Sequence, residues 1–389
     1  MGMISIANIG EALKTFYLPT VRMQLNENAD DFFAAIEKNG EDIESDKITF
    51  AMKYGRNGGI GSRADDGDLP LAASRPLKQA TMPTKNIFAR VQFTDKIMKA
   101  TRSKLASFVN VMTNELEDAM TDAKDYVSKQ VHGSAKGILA TCAAGSASAS
   151  VVVDNCTSLA IGMVIDICDN TGAQKYVGKR IVDVDYDAKS VVLDTATSGT
   201  LLATDVIVTA GSYGLEMTGL KDIFDNTLSK LYGIDRAGNK WLNPITRAIN
   251  GEIDELKIQE GIDTAQTRTG NVIDFIVTDF GTARAYQYMQ QAFKRNVEIM
   301  DLKGGRKAMS YNGTPITTSK YAAAQVMRLL GLKEFKIHRL DDWDWLSEDG
   351  AVLSRVAGKA AWEASLVFYG DLGCYMPGGQ VSLTGITAH

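Results

Sequence analysis

The chain has 389 residues, of which 45% are hydrophobic and 23% charged, and its formal net charge at pH 7 is −5. This is an ordinary globular composition whose length allows two or three domains. No stretch of the sequence approaches the roughly 18 consecutive apolar residues that a membrane helix needs. The negative net charge disfavours a dedicated nucleic-acid reader, which would be basic.

The first ten residues lack the basic start and apolar stretch of a secretory signal, so we expect the chain to fold in the cytosol. Its four cysteines form no CxxC pair, which argues against a zinc site and against a disulfide scaffold. Three histidines leave little material for acid–base or metal chemistry.

Residues 1–45 are predicted to form an N-terminal arm. The segment contains three Lys/Arg and eight Asp/Glu residues, so it is strongly acidic. Its two helical patterns, Ile6–Phe16 and Ala29–Lys38, are too short to be stable without a partner surface.

Two strongly alternating runs follow, Ile48–Tyr54 and Ile87–Phe93, and each predicts a strand with one covered face. The stretch between them has five glycines by position 67 and three prolines, at 70, 76 and 83. We therefore expect residues 46–100 to form an extended hairpin with a long tip. A lone two-stranded hairpin is marginal in water, so it should lie on another surface, which another subunit can provide.

Charge separates the arm from the hairpin. Residues 46–104 contain twelve Lys/Arg and five Asp/Glu residues, which makes them basic where the arm is acidic. Either these are two solvated surfaces that merely differ, or they are complementary between neighbouring copies and steer association. The second interpretation gives ten candidates for contacts between subunits. They are Glu27, Asp30, Asp31 and Glu37 in the arm, and Lys53, Arg56, Arg63, Arg75, Lys78 and Lys85 in or near the hairpin.

A helix is predicted from Ser103 to His132, because apolar residues recur there at intervals of three and four. At 1.5 Å per residue it would be about 45 Å long. Ser103 is suited to cap its start, and Gly133 to end it in the left-handed conformation. One apolar stripe without sustained heptads favours packing on a sheet over a coiled coil.

A small-residue linker, Ala140–Ser150, leads into a β-rich block at residues 151–213. Its short strands and Asp/Gly turns predict a small barrel or sandwich inserted into a larger fold. Asp183, Asp185 and Asp187 resemble a calcium loop. Ala188 stands where that loop needs glycine, and alternation with valines favours a strand. The predicted strands are Leu159–Ile167, Tyr176–Tyr186, Ser190–Leu193 and Val206–Ala210.

Residues 214–361 have mixed character, and the C-terminal part is rich in strands. Tyr311–Thr314 carries the Asn-Gly signal of a type I′ hairpin. The predicted helices are Pro244–Glu260, Asp279–Phe293 and Lys320–Leu330. The predicted strands are Val272–Thr278, Glu334–Leu340, Val352–Val356, Trp362–Phe368 and Gln380–Leu383.

The motifs of catalysis are absent from the sequence. Gly58–Gly61 opens no helix, and no nucleotide-binding loop of the form GxxxxGK[ST] occurs. Asp341, Asp342 and Asp344 alternate with Trp343 and Trp345, but without a predicted cleft we interpret the tryptophans as packing anchors. We therefore predict a non-enzymatic protein with no catalytic residue, no cofactor and no metal.

Taken in order, these elements resemble the major capsid protein of tailed bacteriophages, the Hong Kong ninety-seven type fold. Asn271–Thr278 and the helix after it are similar to a strand and helix of that family's axial domain. Tyr311–Thr317 resembles its glycine–x–proline–aliphatic strand entry. Trp362–Tyr369 with Gly370–Pro377 resembles its closing strands. The block at 151–213 departs from the minimal family pattern.

The resemblance implies an α+β tailed-phage capsid fold. Its expected parts are an arm at 1–45, an extended hairpin loop at 46–100, a peripheral domain with a long spine helix at 101–150, an inserted small all-β domain at 151–213, an axial domain at 214–361 and closing strands at 362–389.

The resemblance also implies a function. The chain would self-assemble as hexamers and pentamers into an icosahedral virion shell around double-stranded DNA, in the host cytoplasm and without a membrane. Its expected partners are other copies of itself, a portal protein, scaffolding and decoration proteins, and DNA through weak non-specific contacts. The alternatives are an encapsulin-like compartment and, from another class, a carbohydrate-binding module fused to an α/β hydrolase.

Overall fold

The computed structural model describes residues 17–27, 30–40, 43–44, 46–65, 67–95, 105–292, 299–301, 307–347 and 352–389. For residues 105–114, 116, 292, 299–301 and 307–308 it describes the backbone alone. The predicted helix Ile6–Phe16 and the cap Ser103 lie outside the described residues.

The helices, in chain order, are α1 Leu18–Glu27, α2 Asp31–Ala35, α3 Leu105–His132, α4 Leu220–Phe224, α5 Glu255–Thr269 and α6 Phe280–Ala292. Short 3-10 turns lie at Lys240–Leu242, Leu332–Glu334 and Pro377–Gly379.

The strands, in chain order, are β1 Glu37–Asn39, β2 Ile43–Glu44, β3 Lys47–Lys53, β4 Leu77–Pro83, β5 Lys85–Thr94, β6 Ile138–Thr141, β7 Ser150–Val152, β8 Val164–Cys168, β9 Gln174–Asp185, β10 Ser190–Leu193, β11 Val206–Thr209, β12 Lys230–Leu231, β13 Ile234–Asp235, β14 Ile245–Gly251, β15 Phe275–Thr278, β16 Ile299–Asp301, β17 Lys307–Tyr311, β18 Thr314–Thr318, β19 Val326–Leu330, β20 Phe335–Arg339, β21 Asp344–Trp345, β22 Ser354–Arg355, β23 Ala361–Cys374 and β24 Val381–Ile386.

The long strand β23 organises the first sheet, which we call the peripheral sheet. It pairs antiparallel with β5 over ten residue pairs, from Ala361 with Thr94 to Gly370 with Lys85. Strands β20, β21 and β22 also pair with β23, and β1 extends the sheet beyond β20. Because β20 and β21 belong here, the boundary of the axial domain expected at residue 361 lies too late in the chain.

Helix α3, the spine helix, packs its apolar stripe on β5 and on α1, as the sequence predicts. Ala123, Val127 and Val131 are buried in this contact. The end of the helix differs from the prediction. Gly133 donates its N–H to the carbonyl of Lys129 at 2.8 Å, but its backbone is not in the left-handed region.

The predicted hairpin has a different second strand. Strand β3 pairs antiparallel with β4, from Lys47 with Pro83 to Lys53 with Leu77. The alternating run Ile87–Phe93 lies in β5 and pairs with β23 instead. The tip is therefore shorter than predicted. The alternation correctly indicated two strands with one covered face, but it carries no information about which strand is the partner.

The described part of the arm does not extend away from its own chain. Five of its apolar side chains are buried in the main core with α3 and the peripheral sheet: Val21, Leu25, Phe32, Phe33 and Ile36. The predicted helix Ala29–Lys38 is the shorter α2 followed by β1, which pairs parallel with β20. The charge pattern suggested the arm as a contact surface for neighbouring copies. Its described part instead packs within its own subunit.

Strands β6 to β11 form a separate six-stranded sheet in the order β6-β11-β8-β9-β10-β7. A bridge between Cys142 and Val153 joins β7 to β6, so the sheet closes into a small barrel. The barrel has its own core, which includes Ile165, Ile167 and Val191. It begins at Ile138, earlier than the predicted boundary at 151, because β6 and the predicted linker lie within it.

Seven strands form the axial sheet, in the order β14-β24-β19-β15-β18-β17-β16. Helices α5 and α6 cover one face, where Ile276 and Leu329 are buried. The other face contributes Phe275, Val277 and Leu330 to the main core, which joins the axial and peripheral sheets. The Asn312-Gly313 turn between β17 and β18 has φ angles of 47° and 77°, as the type I′ prediction requires.

Two helix predictions in this region are wrong. The first half of Pro244–Glu260 is strand β14, which pairs parallel with β24, and α5 begins only at Glu255. Lys320–Leu330 is a turn followed by strand β19. Four of the five residues of β19 are buried, so the strand shows no alternation and resembles a buried helix in sequence.

Candidate assembly interface

The long loop between β3 and β4 is attached firmly at its base. The rings of Tyr54 and Trp241 stack with their centroids 4.8 Å apart and their planes 4° from parallel. Lys78 Nζ donates to Asn239 Oδ1 at 3.0 Å, and the N–H of Thr81 donates to the carbonyl of Tyr232 at 3.0 Å. The segment 232–241 therefore holds both strands of the loop.

Beyond this base, the loop tip is held together mainly by local contacts. Arg75 Nε donates to the carbonyl of Gly55 at 3.0 Å, which joins the two ends of the tip. Arg63 Nε donates to the carbonyl of Asp68 at 3.1 Å. These bonds give the tip a defined shape without burying it.

Three aliphatic side chains of the tip face solvent. Ile60, Leu69 and Leu71 are 84%, 86% and 88% exposed. Isolated exposed aliphatic residues are common on protein surfaces, but three on one projecting loop resemble an unoccupied contact surface. Sequence reasoning missed these residues because it followed the glycines, prolines and charges of the tip.

A second exposed surface lies on the peripheral sheet. Among the described residues, β5 pairs only with β23, so its other edge is open. Phe88 is 58% exposed on this strand and contacts the ring of Tyr369 edge-on, at a centroid distance of 6.3 Å. Arg90 and Glu363 form an ion pair across the same two strands. This surface combines an open strand edge with an aromatic side chain.

The structure places the basic candidate residues in two groups. Lys53 lies exposed at the end of β3, and Arg56, Arg63 and Arg75 lie exposed on the loop. Lys78 and Lys85 instead hold their own chain, because Lys85 Nζ donates to the carbonyl of Gly214 at 2.7 Å.

The acidic candidates also differ among themselves. Asp30 is buried against α3, so it is not available to a neighbouring copy, which corrects its assignment. Glu37 contacts Lys336 at 3.2 Å and remains exposed. Glu27 is exposed at the end of α1, and Asp31 is half-buried at the start of α2.

A buried polar cluster connects the spine helix to the segment that leaves the barrel. Lys129 Nζ contacts Glu216 Oε1 at 2.6 Å and lies over the ring of Tyr126. Burial lowers the pKa of Lys129 against the attraction of Glu216, and burial together with Glu216 raises the pKa of Tyr126 to about 12. The cluster positions the barrel relative to the spine helix.

The described residues contain no group of three His, Cys, Asp or Glu side chains placed to hold a metal ion. In that part of the chain no helix is both long and apolar enough to cross a membrane. Trp343 and Trp345 are buried in the main core, which agrees with their interpretation as packing anchors.

No protein-family model matches the chain, and no curated protein matches it. Several solved structures are similar to the chain. The capsid asymmetric unit of Cyanophage A-1(L) is similar with a TM-score of 0.53 and 12% identity, covering 95% of this chain and 93% of that one. The capsid of the empty GTA particle has a TM-score of 0.50 and 10% identity, covering 92% and 90%.

The holo-SrpI encapsulin of Synechococcus elongatus is similar at a TM-score of 0.46 and 8% identity, covering 93% of this chain and 89% of that one. The two capsid structures establish the fold over nearly the whole chain. It is the α+β tailed-phage capsid fold, as the ordered elements of the sequence predict.

Proposed function

We propose that this chain is the major capsid protein of a tailed phage and assembles as hexamers and pentamers into an icosahedral shell around double-stranded DNA. The observation that carries the proposal is the loop tip. Its base is anchored by Tyr54, Trp241 and Lys78, yet Ile60, Leu69 and Leu71 remain almost fully exposed. A neighbouring copy would bury these aliphatic side chains, which favours association by about 25 cal/mol per Å² of apolar area.

Two further features support a role in assembly. The open edge of β5 and the exposed Phe88 offer a second surface, so one subunit can contact more than one neighbour. A heterologous contact between two different surfaces forms a closed ring when its rotation closes, as in a hexamer or pentamer.

The proposed partners follow from this role. Other copies of the chain are the principal partner, in the virion and during assembly in the host cytoplasm. A portal protein, scaffolding and decoration proteins, and weakly held DNA complete the set. The net charge of −5 suits a shell that encloses DNA without binding each phosphate tightly.

Light scattering coupled to size exclusion, followed by negative-stain imaging, tests the proposal. We expect megadalton icosahedral particles from the purified 42.1 kDa chain, alone or with its scaffolding protein. A chain that stays a monomer or dimer at every concentration and salt, with and without that protein, contradicts it. Particles filled with a cargo enzyme instead of DNA would favour the encapsulin-like alternative.

A further inference from the structure

Arg328 is the most isolated buried charge among the described residues. Its side chain lies between the axial sheet and helix α4, and the residue is 5% exposed. Two of its nitrogens, Nε and Nη1, are buried and have no hydrogen-bond partner in the part of the chain that the structure describes. Burial lowers the pKa of Arg328 to about 10, so the guanidinium is still charged at neutral pH.

A second buried arginine, Arg236, has hydrogen-bond partners at both terminal nitrogens, although its Nε also lacks one among the described residues. Arg236 donates from Nη2 to the carbonyls of Asp222 and Ile223, at 3.0 and 2.9 Å, and from Nη1 to the carbonyl of Leu242 at 3.3 Å. Backbone carbonyls therefore offset its burial. An unpaired buried charge costs several kcal/mol in general, so the lack of any such partner for Arg328 requires a reason.

The surroundings of Arg328 are apolar on one side and polar on another. The ring of Phe224 lies against the guanidinium carbon at 5.2 Å, which occupies one face of the group. In the sheet, Arg328 has Val277 on one side and Ser382 on the other, and Thr246 follows Ser382 on the same face. The side toward β14 is polar, because it presents the hydroxyls of Ser382 and Thr246, and Thr246 is exposed.

We propose that Arg328 is the base of an oxyanion-binding site, with Ser382 and Thr246 beside it on the same face of the axial sheet. The N–H groups of a guanidinium form a planar fork that fits two oxygens of a carboxylate or phosphate. A bound oxyanion pairs with one edge of the fork, which consists of Nη2 and one of the two unpartnered nitrogens, and neutralises the buried charge.

The oxyanion has two sources, inorganic phosphate from solution or a carboxylate side chain of a neighbouring copy. Both present the same pair of oxygens to the guanidinium. The site itself does not depend on the proposed assembly function, because it is complete within one chain.

Scanning calorimetry of the unassembled chain tests the site, with inorganic phosphate or acetate titrated against chloride at constant ionic strength. The variants are Arg328→Met and, as the matched control, Arg355→Met, which removes an exposed arginine of β22. We expect phosphate at one hundred times its dissociation constant to raise the Tm of the wild type and the control by about 3 °C. Arg328→Met should show no such rise, and in chloride its Tm should equal or exceed that of the wild type.

Equal responses of the wild type and Arg328→Met to the oxyanions would overturn the proposal. If Arg328→Met fails to fold, NMR of the wild type tests the site instead. The Nε–H signal of Arg328 is assigned by its absence in Arg328→Lys. A saturable shift of that signal with phosphate supports the site, and a constant signal overturns it.

Assembled particles distinguish the two sources. If a neighbour's carboxylate fills the site, phosphate shifts the Tm of the unassembled chain but not that of particles. If free phosphate is the ligand, both respond. Failure of the chain to assemble would contradict the proposed function and leave the result for the unassembled chain unaffected.

Discussion

Asp30 and His132 meet in the core, with 3.0 Å between Asp30 Oδ2 and His132 Nε2. The same carboxylate accepts hydrogen bonds from the N–H groups of Phe32 and Phe33 at the start of α2, and from the hydroxyl of Ser128. One side chain therefore caps a short helix and connects it to the last turns of the spine helix, 102 residues away. This connection fixes the described part of the arm within its own subunit.

Asp30→Asn should destabilise the chain by about 1–3 kcal/mol, because a buried hydrogen bond to a charged group is lost while an acceptor for the α2 cap remains. Asp30→Ala should cost more, since it removes the cap as well. Urea unfolding monitored by circular dichroism measures both values. Asp187→Asn in an exposed turn of the barrel is the control. Unchanged stability of Asp30→Asn would show that the contact with His132 contributes little.

Asp30 should also make stability depend on acid pH. Burial alone would raise its pKa, but the attraction of His132 and the hydrogen bonds from His132, Ser128 and Phe33 lower it below the ordinary value of 3.8. The stabilisation is therefore present above about pH 3.8 and is lost as the pH falls through the lower folded value. Unfolding titrations between pH 5 and about 2 should show a shallower loss for Asp30→Asn than for the wild type.

Asp371 should make stability depend on pH with the opposite sign. It is buried where β23 meets the segment that leaves the barrel, and it accepts the N–H of Thr218 at 2.6 Å. Burial raises its pKa to about 7, so the folded chain holds a proton there that the unfolded chain releases above 3.8. Its contribution to stability is thus present at low pH and is lost as the pH rises to about 7.

Asp371→Asn should remove this dependence. At pH 8 the variant should be more stable than the wild type by up to about 4 kcal/mol, and near pH 4 the two should be similar. Urea unfolding from pH 4 to 8 checks the trend, with Asp225→Asn as the control. A wild type whose stability does not fall across that range would contradict the assignment.

The stack of Tyr54 on Trp241 should hold the base of the loop. Trp241→Ala removes the ring under Tyr54, so we expect faster amide hydrogen exchange in β4, near residues 77–83, and faster trypsin cleavage after Arg56 and Arg63. Tyr288→Ala, which removes an exposed ring from α6, is the control. Equal exchange in both variants would mean that the hydrogen bonds of Lys78 and Thr81 hold the base alone.

Local patterns in the sequence predicted which helices and strands form better than they predicted which strands pair. The spine helix and the Asn312-Gly313 turn follow from side-chain spacing and backbone preference. Both occur, although the helix does not end in the left-handed conformation predicted at Gly133. Strand β4 was missed because prolines at 76 and 83 and polar residues between them resemble a loop. The contact of Asp30 with His132 and the isolation of Arg328 depend on residues far apart in the chain, so no local pattern reveals them.

The final prediction concerns the exposed aliphatic residues of the loop tip. Ile60→Asp with Leu71→Asp should prevent particle formation, because each aspartate would enter the apolar contact with a neighbour and lose its hydration there. The free energy of unfolding should change by less than about 0.5 kcal/mol, since both side chains are exposed within the single chain. Val177→Asp on the outer surface of the barrel is the matched control.

Light scattering and negative-stain imaging measure assembly, and urea unfolding measures stability. Normal particles from the double variant would contradict a role for the tip, and the open edge of β5 with Phe88 would then become the principal candidate for the contact between subunits.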